Sequence, residues 1–444
     1  MTSKWNSPKF LFWRNIVFFW IAGLANNYAY VIMLSAAEDI LAKQDHTAIK
    51  ADEACSPVLL KRKCSATAVG FILLADIVPT FCIKIIWPFL KFAERIPYGT
   101  RHAMIIASQV LAYMLVAFST SDVMSYAGVI FAALGSGFGE INFLALGSFY
   151  PKSTVSAWSS GTGAAGLIGS LSYAGLTDAG LSPSAACLVM LIIPIIFSIA
   201  YWFILAKPPS LHQVTLSNIS TWLVPKDSTK SYNNSIESST TYDQKTMLQR
   251  NLSFKDKIKV TVPLLKFMIP LSLVYFFEYT INQGAMSLIV FDCSHGFNLS
   301  KASQYRWFQA LYQLGVFIAR SSLVILTLPV WSLYLLPVIQ MANLAFFINE
   351  AIFEFVPHIA ILMAIIIFEG LLGGLSYVNT FDKIHKLSAD DVREFAMSIG
   401  TLATNMPYYE GGPIEFGANE RPKLNEAAEK KRSDEDAKKK RLDE

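Results

Sequence analysis

The chain alternates between long apolar runs and short polar segments, and the length of the apolar runs predicts membrane-spanning helices. A helix needs about twenty apolar residues to cross roughly 30 Å of hydrocarbon. Windows of that length predict ten spans, at residues 11–36, 66–90, 103–119, 122–149, 158–177, 183–206, 263–291, 304–327, 329–352 and 356–381. We therefore predict an all-α membrane protein with about ten transmembrane helices.

Composition agrees with this prediction. The 444 residues are 53% hydrophobic and only 16% charged, and the mean hydropathy is +0.40. Soluble domains carry roughly a quarter charged residues. The net charge of +4 is too small to indicate a nucleic-acid partner. The sequence holds no phosphate-binding loop, zinc-protease motif or nucleophile elbow, so we predict neither an enzyme nor a bound cofactor.

The positions of lysine and arginine predict the orientation, because basic residues favour the cytosolic side. Both termini are then cytosolic, and the chain divides into four parts. These are a six-span bundle (1–206), a disordered cytosolic loop (207–262), a four-span bundle (263–394) and a charged cytosolic tail (395–444).

The same orientation makes two luminal predictions. Asn298 begins an N-L-S sequon in a luminal loop and is the predicted glycan acceptor. Cys55 and Cys64 share another luminal loop, where an oxidising environment allows them to pair.

Residues 161–166 read GTGAAG, which matches the dinucleotide-binding pattern G-x-G-x-x-G. That pattern binds a nucleotide only between a strand and a helix. Here it lies inside an apolar run rich in small residues, so we interpret it as a helix-packing surface.

Polar side chains inside the spans carry the functional hypotheses. An ionised group at the bilayer centre costs several kcal/mol, so such residues usually face a cavity or a partner. The candidates are Asn26, Asn27, Asp76, Lys84, Glu140, Glu278, Asn282, Gln283, Arg306, Arg320 and Glu369.

Similar polar residues occur in spans that are six apart along the chain. Spans one and seven carry paired amides, and spans four and ten each carry a glutamate beside a G-x-x-x-G, at Gly135/Gly139 and Gly370/Gly374. An even offset makes the paired helices point the same way. This indicates two pseudo-repeated parallel bundles, as in major facilitator transporters.

We assign hypothetical roles by chemistry. Glu140, Glu278 and Glu369 are candidates for proton coupling or cation binding, and Lys84 and Arg320 for attracting an anionic group. The amides that would orient a substrate are Asn26, Asn27, Asn282 and Gln283. Structural alternatives stay open for all of them: the amides can join neighbouring helices, and Lys84 can pair with Asp76.

Several long stretches resemble the battenin family. They include NNYAYVIMLSAAEDIL (26–41), SSGTGAAGLIGSLSYAGLTDAGLSP (159–183), QYRWFQALYQLGVFIARSS (304–322), FEGLLGGLSYVNTF (368–381) and REFAM (393–397). The resemblance implies a multi-span protein of lysosomes or late endosomes, distantly similar to major facilitator and nucleoside transporters. It also implies a part in lysosomal pH, in basic amino-acid transport and in the clearance of glycerophosphodiesters.

The sequence departs from the family after REFAM. The family continues with another apolar segment, whereas this chain has SIGTLATNMPYYEGGPIEFG and then charges. We therefore expect the C-terminal half to be incomplete. The leading hypothesis is a transporter of a basic amino acid or a glycerophosphodiester, with protons as a possible partner. The alternative is a scaffold that binds cytosolic trafficking proteins and transports nothing.

Overall fold

The computed structural model describes residues 7–44, 67–208, 211–215, 217–224 and 252–405. Eleven helices in these ranges define the fold. They are α1 (Pro8–Gln44), α2 (Thr67–Ile86), α3 (Tyr98–Ala117), α4 (Asp122–Gly147), α5 (Ser153–Asp178), α6 (Pro183–Ile204), α7 (Phe254–Leu288), α8 (Lys301–Ser321), α9 (Val330–Phe353), α10 (Ile359–Leu387) and α11 (Arg393–Gly400). A 3-10 turn, Thr401–Thr404, follows α11, and the last turns of α6 and α7 include π-helical segments, Ala200–Ile204 and Thr280–Ala285.

The helices α1 to α10 coincide one by one with the ten predicted spans, so the all-α membrane fold is confirmed. Seven of them are long and apolar enough to cross a membrane by length and composition. The other three are α2, α5 and α8. Of these, α5 is rich in glycine and serine, and α8 carries two arginines. Buried small and polar residues lower the mean hydropathy of helices that face other helices rather than lipid.

The packing of the helices repeats with the predicted offset of six. In the N-terminal half α4 contacts α1, α2 and α3, and in the C-terminal half α10 contacts α7, α8 and α9. The main contact between long helices of different halves joins α5 to α8. The two halves are therefore parallel repeats, which confirms the major-facilitator-like arrangement.

Glycines in α5 allow the halves to approach closely. A Cβ on Gly163 would lie 2.9 Å from the Cα of Phe317 in α8, and one on Gly166 would overlap the side-chain oxygen of Gln313. A Cβ on Gly161 would overlap the backbone oxygen of Trp20 in α1. The GTGAAG stretch thus packs helices, as the sequence indicates, and is not a nucleotide site.

The C-terminal half begins earlier than hydropathy indicates. The helix α7 starts at Phe254, inside the predicted 207–262 loop, because Ser253 caps it. The Ser253 hydroxyl accepts a hydrogen bond from the backbone nitrogen of Asp256. A hydropathy window does not detect a capping serine or a first helical turn of mixed polarity. Residues 225–251 of the predicted loop lie outside the described ranges.

Residues 393–405 differ from the predicted tail that starts at 395. They form α11 and the following 3-10 turn, which contact α4, α7 and α10. Ala396, Met397 and Ala403 are fully buried there. The segment is too short to span a membrane, yet its apolar residues are covered by both halves. Its side of the membrane, and the incompleteness of the C-terminal half, stay predictions.

The predicted glycan acceptor lies in an exposed turn. Asn298 adopts a left-handed conformation with φ 55°, three residues before α8 begins. In the same turn Asp292 accepts hydrogen bonds from Ser294 and His295, which hold the pKa of its carboxyl well below its usual range. Its glycosylation stays a prediction. Cys55 and Cys64, the predicted pair, lie outside the described residues.

Candidate functional site

The polar residues singled out in the sequence lie inside the helical bundle, except Arg306, which is exposed. Fully buried are Asn26, Lys84, Glu278, Asn282 and Glu369, while Asn27, Glu140, Gln283 and Arg320 are half-buried. They form separate groups with different hydrogen-bond partners. We name three of these groups the lysine cluster, the arginine cluster and the glutamate pair.

The lysine cluster is built on an ion pair between α2 and α4. The Nζ of Lys84 donates to Oε2 of Glu140 at 2.5 Å and to Oγ1 of Thr404 at 2.9 Å. It also donates to the side-chain oxygen of Asn405. Tyr377 of α10 donates to the other Glu140 oxygen at 2.9 Å. The two charges cancel, and the cluster joins both halves of the protein.

Lys84 therefore does not pair with Asp76, the structural alternative left open by the sequence. Eight residues separate the two along α2, which is about 12 Å of helix rise. The helix α4 instead brings Glu140 to the ammonium group. Pairing along one helix needs a spacing of three or four residues.

The arginine cluster holds a cation without a carboxylate. Arg320 of α8 donates to Oγ1 of Thr162 in α5 and to the hydroxyl of Tyr275 in α7, both at 2.8 Å. Its guanidinium lies 4.2 Å from the ring centroid of Tyr377. Within the described ranges Arg320 forms no salt bridge, and its Nε has no hydrogen-bond partner. An anionic group that reached the half-buried guanidinium would therefore meet a positive charge with no carboxylate in contact.

The glutamate pair lies on α7 and α10. Glu278 accepts a hydrogen bond from the hydroxyl of Tyr312 through Oε1. Glu369 accepts one from Nδ2 of Asn282 at 2.8 Å, and the same amide nitrogen donates to the backbone oxygen of Glu278 at 3.0 Å. The Oε2 atoms of both carboxyls are buried and have no partner among the described residues. Two linked carboxyls with one open oxygen each can hold a proton or a small cation.

A glycine makes room for a polar side chain in each half. A Cβ on Gly139 of α4 would overlap the side-chain oxygen of Asn26 in α1. A Cβ on Gly373 of α10 would overlap Oε2 of Glu278 in α7. The pairs α1–α4 and α7–α10 are equivalent in the repeat. In both halves a glycine of one helix thus leaves room for a polar side chain of the facing helix. That side chain is an amide in the N-terminal half and a carboxyl in the C-terminal half.

The amides of α1 take part in helix packing. Nδ2 of Asn26 donates to the side-chain oxygen of Asn27 at 3.1 Å and to the backbone oxygen of Ser136 in α4 at 2.9 Å. On α7, Asn282 is bound to Glu369, whereas Gln283 is half-buried. Contact of these amides with a substrate stays a prediction.

Tyrosines complete the site and were missed in the sequence. Tyr275, Tyr312 and Tyr377 bind Arg320 or one of the glutamates through their hydroxyls or rings. Hydropathy windows count tyrosine with the apolar residues, although its hydroxyl needs a partner when it is buried. Helical spacing could have identified one of them: Tyr275 lies three residues before Glu278, so the two side chains share a face of the helix.

The two halves are also bridged at the end of the bundle where the 87–97 segment between α2 and α3 lies. We call this end the basic end. The hydroxyl of Tyr98 donates to Oε1 of Glu394 in α11 at 2.5 Å. The hydroxyl of Ser272 in α7 donates to the backbone oxygen of Ala403 at 3.0 Å. With the lysine cluster, these contacts make the segment 393–405 a cover over the basic end.

Comparisons with known proteins agree with this architecture. A family model described as CLN3 protein matches residues 17–407. Battenin of the dog, Canis lupus familiaris, is 40% identical over 404 residues, which cover 89% of this chain and 88% of battenin. Protein btn-1 of Neurospora crassa is 33% identical over 411 residues, covering 87% of this chain and 83% of that protein.

A solved structure shares the fold. The crystal structure of the human organic anion transporter MFSD10 (TETRAN) matches with a TM-score of 0.53, over 93% of this chain and 96% of that chain. The sequences are only 14% identical, so the likeness concerns the fold alone. It agrees with the parallel repeat seen in the helix contacts.

Proposed function

The chain belongs to the CLN3 protein family, and we propose that it transports a small polar solute across the membrane of lysosomes or late endosomes. The family match and the transporter-like fold support a multi-pass membrane protein of this kind. Alternating access fits two parallel halves that meet around polar clusters. In the conformation described, the basic end is bridged by the 393–405 segment, so a solute would enter from the opposite end.

The arginine cluster is the observation that carries this proposal. Holding a cation inside a membrane span without a carboxylate in contact is unfavourable, and charged residues in spans commonly mark functional sites. Hydroxyls and one aromatic ring hold Arg320 in place and leave Nε free. A phosphate or carboxylate group of the solute would supply the missing charge. Both candidate solute classes, glycerophosphodiesters and basic amino acids, carry such a group.

The glutamate pair would couple transport to protons and would link the protein to lysosomal pH. Glu278 and Glu369 each keep one oxygen without a partner, so a proton can bind without breaking an existing hydrogen bond. The same oxygens would receive the cationic side chain of a basic amino acid. The lysine cluster is neutral and already joined across the halves, so we assign it to closing the basic end.

The test is solute uptake by proteoliposomes that contain the purified protein, with lysine and a glycerophosphodiester as separate substrates. Arg320→Gln removes the cation but keeps a polar side chain. Losing a charge-assisted hydrogen bond costs about 1.5–3 kcal/mol, so we expect uptake to fall about 10- to 150-fold. Arg306→Gln is the matched control, because Arg306 lies on the same helix but is exposed and contacts Ser303.

The outcomes separate the candidate functions. Uptake of one solute class that is lost in Arg320→Gln and kept in Arg306→Gln supports the proposal and identifies the substrate. Equal uptake in both variants contradicts the role of Arg320. Failure of the wild-type protein to move either solute, with normal binding of cytosolic trafficking proteins, would favour the scaffold.

A further inference from the structure

Asp76 of α2 is a buried carboxyl that belongs to neither of the two cationic clusters nor to the glutamate pair. The residue is 4% exposed. Its carboxyl forms no hydrogen bond and no salt bridge with any residue of the described ranges. Burying a carboxyl without a partner is costly, and such groups inside spans usually bind a proton or a cation. Asp76 therefore has an open place for one of these.

Two contacts of the 393–405 segment show which residues of α2 and α7 lie at the same level of the bundle. Lys84 of α2 donates to Oγ1 of Thr404 at 2.9 Å, and Ser272 of α7 donates to the backbone oxygen of Ala403 at 3.0 Å. Because the two acceptor residues are adjacent, Lys84 and Ser272 lie at about the same distance from the basic end.

From this level both helices lead away from the basic end. The helix α2 ends there, and α7 begins there, with its first residue packed on the 87–97 segment. Asp76 precedes Lys84 by eight residues, a rise of about 12 Å, and Tyr279 follows Ser272 by seven, a rise of about 10 Å. Asp76 and Tyr279 are therefore nearly level in different halves, and their side chains are close enough to interact electrostatically.

Two tyrosines on one face of α7 lead from this level to the arginine cluster. The hydroxyl of Tyr275 accepts a hydrogen bond from Arg320 at 2.8 Å. The ring centroids of Tyr275 and Tyr279 are 5.9 Å apart. Four residues separate the two tyrosines, so Asp76 lies about 6 Å further from the basic end than the contact between Tyr275 and Arg320. A carboxyl of one half and a guanidinium of the other half are thus separated by roughly the length of a small solute.

We propose that the solute is a zwitterion whose anionic group binds Arg320 and whose cationic group binds Asp76. The proposal rests on the proposed function, because it takes Arg320 as the anion site. Lysine and a glycerophosphodiester with an amino headgroup both carry opposite charges at their two ends. Asp76 belongs to the N-terminal half and Arg320 to the C-terminal half, so a solute of this kind would hold the two halves together around itself.

The glutamate pair is the alternative receptor for the cation. Glu369 is 0% exposed, and Oε2 of Glu278 occupies the space that Gly373 leaves in α10. Both carboxyls also belong to the same half as Arg320. A cation bound to them would not connect the halves, whereas a cation bound to Asp76 would.

The experiment measures equilibrium binding to the purified full-length protein with two pairs of solutes. Lysine is compared with norleucine, and glycerophosphoethanolamine with glycerophosphoglycerol. The second member of each pair keeps the anionic group but lacks the terminal ammonium. Charge-assisted hydrogen bonds are strong, so we expect the wild-type protein to bind the ammonium-bearing member of one pair about tenfold more tightly. Asp76→Asn keeps the size of the side chain and should abolish that preference without weakening the other member.

Matched variants decide which carboxyl binds the cation. Asp122→Asn removes a carboxylate from an exposed position of α4 and should keep the preference. Asp76→Glu keeps the charge and should keep the preference in part. Equal binding of both members by the wild-type protein, or a preference that survives Asp76→Asn, would overturn the proposal. Loss of the preference in Glu278→Gln alone would assign the cation to the glutamate pair.

Binding and transport can be judged separately. A protein that shows the preference and loses it in Asp76→Asn, but moves neither solute into proteoliposomes, would contradict the proposed function and still support the pairing of Asp76 with Arg320. Uptake of a solute without any preference for the ammonium would do the reverse.

Discussion

The lysine and arginine clusters share Tyr377 but differ in how their charge is neutralised. Tyr377 donates to Glu140 through its hydroxyl and faces Arg320 with its ring. Lys84 has a carboxylate at 2.5 Å. Arg320 has two hydroxyl acceptors and an aromatic face. One cluster is therefore complete within the protein, whereas the other would be completed by an anion from outside.

This difference predicts that, within one polar region, the lysine cluster stabilises the fold and the arginine cluster serves ligand binding. A buried ion pair that is also hydrogen-bonded becomes costly when one partner is removed, because the other charge stays buried alone. Arg320 has no carboxylate in contact within the described ranges, so no single partner depends on it in this way. Removing it should affect a ligand more than the fold. The comparison predicts opposite responses of the two clusters to neutralisation.

The largest expected effect comes from Glu140→Gln. It leaves the 2%-exposed Lys84 ammonium with neutral acceptors only. We expect the free energy of unfolding in mixed micelles to fall by about 3–5 kcal/mol. Adding Lys84→Met should restore most of it, because both charges are then absent.

Arg320→Gln is the counterpart in the other cluster. We expect it to cost less than Glu140→Gln, because the charge-assisted hydrogen bonds that are lost, worth about 1.5–3 kcal/mol each, are offset by removing a cation that has no carboxylate in contact. Equal costs for Glu140→Gln and Arg320→Gln would show that the clusters are alike and would break the comparison. No recovery in the double variant Lys84→Met/Glu140→Gln would contradict the ion-pair explanation.

The fold was largely predictable from hydropathy and repetition. All ten helices were located from the sequence, and for the seven most apolar ones the reason is that about twenty apolar residues have few alternatives to a membrane helix. The repeat was visible because both halves keep polar residues at equivalent depths. The boundary at Phe254 and the burial of 393–405 were not predictable from hydropathy, since a serine cap and tertiary packing decide them.

The site was predictable as a set of residues but not as a set of contacts. The sequence selected Lys84, Glu140, Glu278 and Arg320 because charges inside spans are costly. It could not assign Glu140 to Lys84, because that pairing depends on how α2 and α4 are rotated against each other. It also missed Tyr377, whose hydroxyl joins the halves, because a lone tyrosine in an apolar run has no distinctive pattern.

An intermediate effect is expected from Gly373→Ala, which tests the position of the glutamate pair. The new Cβ would overlap Oε2 of Glu278, and Tyr312 limits the movement of that carboxyl. Overpacking of this kind costs about 1–3 kcal/mol. Gly175→Ala is the control, since no atom lies within 4 Å of its Cβ position. Shortening the carboxyl with Glu278→Asp should rescue Gly373→Ala. Thermal unfolding of Gly373→Ala, Gly175→Ala and the double variant Glu278→Asp/Gly373→Ala measures these differences, and absence of rescue would place the clash elsewhere.

The smallest effect on stability, but a specific one on function, is expected from Glu278→Gln. The amide keeps the size of the side chain and an oxygen that accepts the Tyr312 hydrogen bond. We therefore expect a change of about 1 kcal/mol or less in the free energy of unfolding. The variant cannot take up a proton, so a proton-coupled transporter should lose most of its uptake and its dependence on luminal pH should flatten. Uptake by proteoliposomes across an imposed pH gradient measures this. Asp122→Asn, at an exposed position of α4, is the control and should keep the wild-type profile. A normal pH profile in Glu278→Gln would exclude Glu278 from proton coupling.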